Sequence, residues 1–209
     1  MKLSFGTILI IFAVQLLLIL TLVPGEWTEQ VIEKEAVKVQ RVLGTETQQW
    51  IHDTAQRWYD TSMIESGAYE AMHSHVIPSL EQRTESRGME DLGTSIFAWA
   101  EDRLAAMMRV IYQVYARVAM ALLWAPYLLI LLVPAIFDGV MRWKIKQTNF
   151  DYASPVVSRY GVRGVFLIGQ ITLIAFLLPL ALNPLLIPLG MMLSSVMLGL
   201  TIANYQKRL

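Results

Sequence analysis

Four apolar runs of membrane-spanning length decide most of what this chain can fold into. The first extends from Phe5 to Val23, with Gln15 as its only strongly polar member. At 1.5 Å per helical residue it reaches roughly 29 Å, the hydrocarbon thickness of a bilayer. A secretory signal peptide would also begin with a base such as Lys2, but its apolar core is shorter, about 7–15 residues. Val23-Pro24-Gly25 is moreover a poor cleavage site, so the run reads as an anchor. The second run covers residues 118–136, the third 164–182 and the fourth 185–203. Pro126 and Pro134 inside the second are tolerable, because neighbouring membrane helices re-satisfy backbone groups freed by proline. Asn183-Pro184 predicts a tight turn that makes the last two spans a helical hairpin.

Composition agrees with lipid as the main solvent. Apolar residues make up 55% of the 209, charged residues only 16%, and the mean hydropathy is +0.47. A soluble domain of this size would have too little charge to cover its surface. The formal net charge of zero argues against nonspecific nucleic-acid binding by the whole molecule. There is no cysteine, hence no disulfide framework, thiol nucleophile or cysteine metal site.

Charge is segregated, and the segregation sets an orientation. Residues 137–163 carry Arg142, Lys144, Lys146, Arg159 and Arg163 against Asp138 and Asp151. The chain starts with Lys2 and ends Lys207-Arg208-Leu209. Residues 24–117 hold fifteen acids against nine bases, a net of −6. Basic short loops stay in the cytoplasm. Both termini and the 137–163 loop are therefore expected there, and 24–117 in the periplasm. Trp27, Trp124 and Trp143 fall near span ends, where indole rings anchor in the headgroup layer.

The segment from 24 to 117 reads as helical. From Trp27 to Tyr59 there is no proline and one glycine, Gly44, a candidate interruption. Ile32, Ala36, Val39, Leu43, Trp50, Thr54 and Trp58 recur at close to helical spacing. A second stretch runs from about Glu90 into the second span, with Leu92, Ile96, Trp99, Leu104, Met107, Ile111 and Val114 as its stripe. The expectation is an antiparallel periplasmic hairpin of two long helices, with short helices and loops over 61–88. The fold class is thus an all-α membrane protein with four transmembrane helices. Its segments are 1–23, 24–117, 118–136, 137–163 and 164–209.

Sites for chemistry are scarce. His73 and His75, with Glu70 nearby, fall short of the four ligands of a structural metal site, so surface histidines in a loop are the expectation. No serine sits in a nucleophile elbow, and no phosphate-binding loop is present, so energy from ATP would have to come from a partner. The polar residues singled out in or between the spans are few: Gln15, Gln170, Asn183, Ser194 and Ser195. None is ionisable, which argues against a proton relay; Gln170 and Ser194 are expected to bond between helices. Gly190, Ser194 and Gly199 permit close helix approach in the fourth span. Asp138 is expected to pair with Arg142 or Lys144. No catalytic, cofactor or metal residue is assigned.

The densest motif is Phe137-Asp138-Gly139, then Arg142-Trp143-Lys144-Ile145-Lys146, then Thr148-Asn149-Phe150-Asp151-Tyr152-Ala153-Ser154-Pro155. Anionic lipid accounts for the bases but not for Asn-Phe-Asp-Tyr-Ala-Ser-Pro. Lipid anchoring and a docking surface for a partner both stay open. The docking candidates are Asp138, Arg142, Lys144, Lys146, Asn149, Phe150, Asp151, Tyr152, Ser154 and Pro155.

This motif, with the spacing of the four runs, resembles the integrating conjugative element membrane proteins, a bacterial family classed under a domain of unknown function. The resemblance covers nearly the whole chain. It implies an inner-membrane subunit in conjugative DNA transfer, beside a type IV secretion apparatus and near its coupling ATPase. It implies no enzymatic activity and no catalytic residues. A small oligomeric transporter or exclusion factor working without the machine is the alternative. A membrane enzyme acting on lipid or peptidoglycan would need convergent carboxylates or histidines, for which Glu26 and Glu29 beside Trp27 are a thin case.

Overall fold

The structure is a computed structural model that describes residue 14 and residues 25–76, 90–149 and 152–205. The expected first span at 5–23 lies outside the described residues, Val14 apart. Among the described residues there are helices and no strands. In chain order they are α1 (Gly25–Leu43), α2 (Thr45–Tyr59), a π-helical turn (Asp60–Glu65), α3 (Ala68–Val76), α4 (Glu90–Thr148), α5 (Pro155–Leu177) and α6 (Leu186–Ala203). The second, third and fourth expected spans fall on α4, α5 and α6, three helices long and apolar enough to cross a membrane. The chain forms two compact units, one of residues 1–119 with 176–181, the other of 120–175 with 182–209.

In the first unit the helix break is where glycine permits it. Gly44 has φ 88° and ψ 166°, a conformation that only glycine adopts cheaply. Its N–H still donates to Gln40 O at 3.0 Å, and its carbonyl accepts from Gln48 N at 3.2 Å. The helix therefore breaks without leaving its backbone unsatisfied. Gly67, at φ 72°, separates the π-helical turn from α3. His73 and His75 lie on α3 rather than in the expected loop. His73 packs against the Tyr69 ring, and His75 bonds to the Ala71 carbonyl at 2.7 Å.

Residues 104–119 of α4 are the spine of this unit. Leu104 and Met108 are buried against Tyr59, Met63, Tyr69 and Met72. Tyr112 meets the His52 and Tyr59 rings edge-on, and Tyr115 meets Trp58. Burial raises the pKa of Tyr112 above the usual phenolic value, helped by the nearby Asp53 carboxylate. The buried face of α1 is Thr28, Val31, Glu35 and Val39; of the expected stripe only Val39 belongs fully to it. On α4, Leu104 is buried as expected, but Trp99 is half exposed and Ala106, Val110, Gln113 and Arg117 are buried. The side chains of Leu92 and Ile96 lie outside the described residues.

The expected first long helix is divided at Gly44, so α1 by itself meets α4: Glu29 meets Arg109 and Glu35 meets Gln113 and Arg117. Gly44 ends α1 within 19 residues, and α1 docks on α4 through a polar face rather than a long apolar seam.

In the second unit, small residues set the packing. A methyl group at Gly139 would meet the Gly199 carbonyl oxygen at 2.7 Å, and one at Gly199 the Ala135 carbonyl at 2.9 Å. Gly161 is closed off by Thr201 and Met197, and Gly190 lies against Ile168 and Thr172. Backbone approach of this kind is how membrane helices associate without a hydrophobic driving force. Thr172, Ser195 and Thr201 satisfy their hydroxyls on carbonyls four residues back in their own helices.

The turn after α5 is longer than Asn-Pro. The helix ends at Leu177 and α6 starts at Leu186. Asn183 does initiate a turn, its Oδ1 accepting from Leu185 N at 3.1 Å and its carbonyl from Leu186 N at 3.0 Å. Gly139→Ala is expected to destabilise by about 1–3 kcal/mol through overpacking. Gly169→Ala, where nothing lies within 4 Å, should be neutral or stabilising by up to about 1 kcal/mol. Thermal unfolding of the two variants in mild detergent compares them directly.

Candidate functional site

Two places concentrate polar chemistry. The first is the basic region at residues 137–163, which is mostly not a loop. α4 continues through Thr148 and α5 begins at Pro155, leaving a short connection between them. The physical reason is visible in Ser154-Pro155. Proline suits the first helical position, and the Ser154 hydroxyl accepts from Val157 N at 3.4 Å as an N-cap.

The structure sorts the docking candidates by what they touch. Lys146 Nζ donates to Asn204 Oδ1 at 2.8 Å, and Ser154 N donates to the same oxygen at 3.3 Å. Asn204 is buried and holds its own amide on Leu200 O at 3.0 Å. Trp143 Nε1 donates to Tyr205 O at 2.9 Å. Lys146 and Ser154, with Trp143, thus fasten the connection to the end of α6, and Pro155 starts α5. Asp138 pairs with Arg142 at 2.9 Å, an exposed i,i+4 bridge worth about 0.3–0.5 kcal/mol. Lys144, Asn149 and Tyr152 are exposed, Tyr152 to 78%. Phe150 and Asp151 lie outside the described residues.

The second place was not singled out from the sequence. Arg117, one residue before the second apolar run, is 1% exposed, and Glu35 is 7% exposed. Arg117 Nε donates to Glu35 Oε1 at 2.9 Å, and Nη2 donates to Glu35 Oε2 at 2.7 Å. Nη1 donates to Phe176 O and Leu178 O, both at 2.8 Å, and Nη2 also to Leu180 O at 2.6 Å. Gln113 Nε2 donates to Glu35 Oε2 at 2.7 Å. All five guanidinium N–H groups are engaged, in the bidentate geometry that arginine provides and lysine does not. One acceptor, Phe176 O, is in the last turn of α5 and two, Leu178 O and Leu180 O, follow it; carbonyls at a helix C-terminus lack intrahelical donors and carry partial negative charge.

Trp27 and Lys38 extend this arrangement. Trp27 Nε1 donates to Pro179 O at 3.1 Å, and Lys38 Nζ to Ala181 O at 2.6 Å. The carbonyls of residue 176 and of residues 178–181 are thus taken up by side chains of α1 and α4, which lets the chain leave α5 without helical bonds. The signal in the sequence was Glu35 on the same wheel face as Thr28, Val31 and Val39, together with Gln113 and Arg117 four residues apart.

The sequence matches the family model described as DtrJ-like, IncC plasmid conjugative DNA transfer protein, over residues 9–209. The chain belongs to this family. The matched span includes Glu35, Arg117 and residues 137–163. No curated protein and no solved structure matches the chain.

Among the described residues no group of histidine, cysteine or carboxylate side chains is arranged to hold a metal ion. Chemically, the Glu35–Arg117 cluster is a saturated ion pair; its donors are occupied by the chain itself. Arg117→Leu is expected to destabilise by about 3–5 kcal/mol, because it strands a buried carboxylate. Adding Glu35→Leu should restore part of that loss. Equal melting temperatures for Arg117→Leu and the wild type in detergent would contradict the assignment.

Proposed function

We propose that this family member is a non-enzymatic inner-membrane subunit of a conjugative DNA-transfer machine of the type IV secretion kind, and that it docks or supports the coupling ATPase. The observation that carries the reading is membership of a conjugative DNA transfer family across residues 9–209. Within that frame, the connection between α4 and α5 is the docking element. It is supported from inside by Lys146, Ser154 and Asn204, and it presents Lys144, Asn149 and Tyr152 outward.

A docking element of this kind needs a fixed backbone, since ordering a loose loop on binding costs affinity. An exposed tyrosine is a residue type that interface centres favour, and the lysine on the same element suits their charged rim. In the proposed topology both termini and this connection face the cytoplasm, where the ATPase works, and residues 24–117 face the periplasm and other channel subunits. The excess of bases at 137–163 against the net −6 of residues 24–117 supports that orientation. Anionic lipid would share the bases of the connection.

Affinity purification from conjugating cells in mild detergent tests the reading. The wild type is expected to retain the coupling ATPase, and the double variant Lys144→Ala with Tyr152→Ala to lose it and to transfer DNA at a reduced rate. An Asp151→Ala, Tyr152→Ala variant that keeps the ATPase and transfers normally would count against docking at this connection.

A further inference from the structure

α1 carries a feature that neither the transfer role nor the cytoplasmic connection uses. At 3.6 residues per turn, its exposed charged residues fall into two flanks on either side of the buried face Thr28, Val31, Glu35 and Val39. One flank holds Trp27, Lys34, Lys38 and Arg41, within an arc of roughly 60°. The other holds Glu26, Glu29 and Glu33. The two flanks are thus opposite in sign.

Their surroundings are equally distinct. Trp27 and Lys38 bond to the carbonyls of Pro179 and Ala181, just past Leu177, where the apolar helix α5 ends. Glu29 lies 3.2 Å from Arg109, about 12 Å further back along α4 from the apolar run than Arg117 is. The basic flank therefore lies beside the carbonyls that follow the apolar helix α5, and the acidic flank lies toward Arg109. Trp27, half exposed, has the amphipathic ring that settles among headgroups.

We propose that α1 is an interfacial helix whose basic flank, through Lys34, Lys38 and Arg41, binds the phosphate groups of anionic phospholipid. Charge complementarity selects the occupant. Three bases in one arc at the bilayer boundary attract anionic headgroups, while the acidic flank is repelled from them. Lys38 keeps hydrogen-bonding capacity for a phosphate, because an ammonium has three donors and Ala181 O takes one. Val37, exposed between the two flanks, stands at the boundary between headgroups and water. This assignment rests on the membrane placement of α4 and α5 alone and is independent of the ATPase-docking proposal.

The absence of native cysteine makes the test direct. Full-length protein carrying one of Lys34→Cys, Arg41→Cys or Glu33→Cys is spin-labelled and placed in nanodiscs of phosphatidylethanolamine and phosphatidylglycerol. Relaxation by oxygen, which concentrates in lipid, is compared with relaxation by a water-soluble nickel chelate. The oxygen-to-nickel ratio is expected to be severalfold higher at 34 and 41 than at 33. A flank at 34 and 41 as open to nickel as position 33 overturns the interfacial placement. For the lipid charge, a Val37→Cys label should gain nickel access when phosphatidylcholine replaces phosphatidylglycerol, and equally when Lys34→Gln and Arg41→Gln are added. A label indifferent to both changes overturns the phosphate assignment. Circular dichroism of each variant separates these outcomes from loss of fold.

Discussion

A guanidinium has five N–H donors and no acceptor, so it leaves water only where enough oxygens converge on it. Arg117 meets that requirement with the Glu35 carboxylate and the carbonyls of residues 176, 178 and 180. Each partner comes from a different part of the chain, and each would be costly to bury alone. The carboxylate would be an unpaired charge, the carbonyls the unsatisfied end of a helix. Together they fix α1 against α4 and let the chain leave α5 at Leu177. The exposed residues of α1 then have defined positions, and this is what separates its basic flank from its acidic one.

The second unit obeys a different constraint. Its candidate spans are largely apolar, so burial alone cannot select one packing, since lipid solvates an exposed leucine as well as a neighbouring helix does. Selection falls to shape. Gly139 against Gly199 and Gly199 against Ala135 bring backbones together, and the few strong polar bonds sit at the end of α6. There Asn204 accepts from both Lys146 and Ser154 N. Bases that look like a lipid-seeking loop in the sequence are therefore divided in the structure. Lys146 works inward on Asn204, Arg142 on Asp138, and Lys144 is exposed.

Much of the helical architecture was legible because it follows from local chemistry. Gly44 was the only glycine between Trp27 and Tyr59, and the helix breaks there. The stretch from Glu90 had no proline before Pro126 and runs as one helix past both prolines. Boundaries that depend on distant partners were less legible. The third apolar run suggested a helix to Leu182, but the helix ends at Leu177, where side chains of α1 and α4 replace the intrahelical donors. Ser154-Pro155 carried a helix-start signal that the basic composition around it obscured. Glu35 stood out poorly because a carboxylate on an otherwise buried face becomes intelligible only when its cation is seen beside it.

By itself the sequence determined that this is a helical membrane protein, where its apolar helices lie, and which segments carry opposite net charge. Those properties are sums over local residues, and periodicity and composition express them fully. The resemblance to a conjugative element family rests on the sequence too, in one contiguous motif. Only the tertiary structure decided which charges are buried and which are presented. A charge's environment is set by groups dozens of residues away: 82 for Glu35 and Arg117, 58 for Lys146 and Asn204. Propensity has no means of encoding those distances. The fold uses Arg117 and Lys146 to hold itself together and leaves Lys144, Tyr152 and the basic flank of α1 exposed.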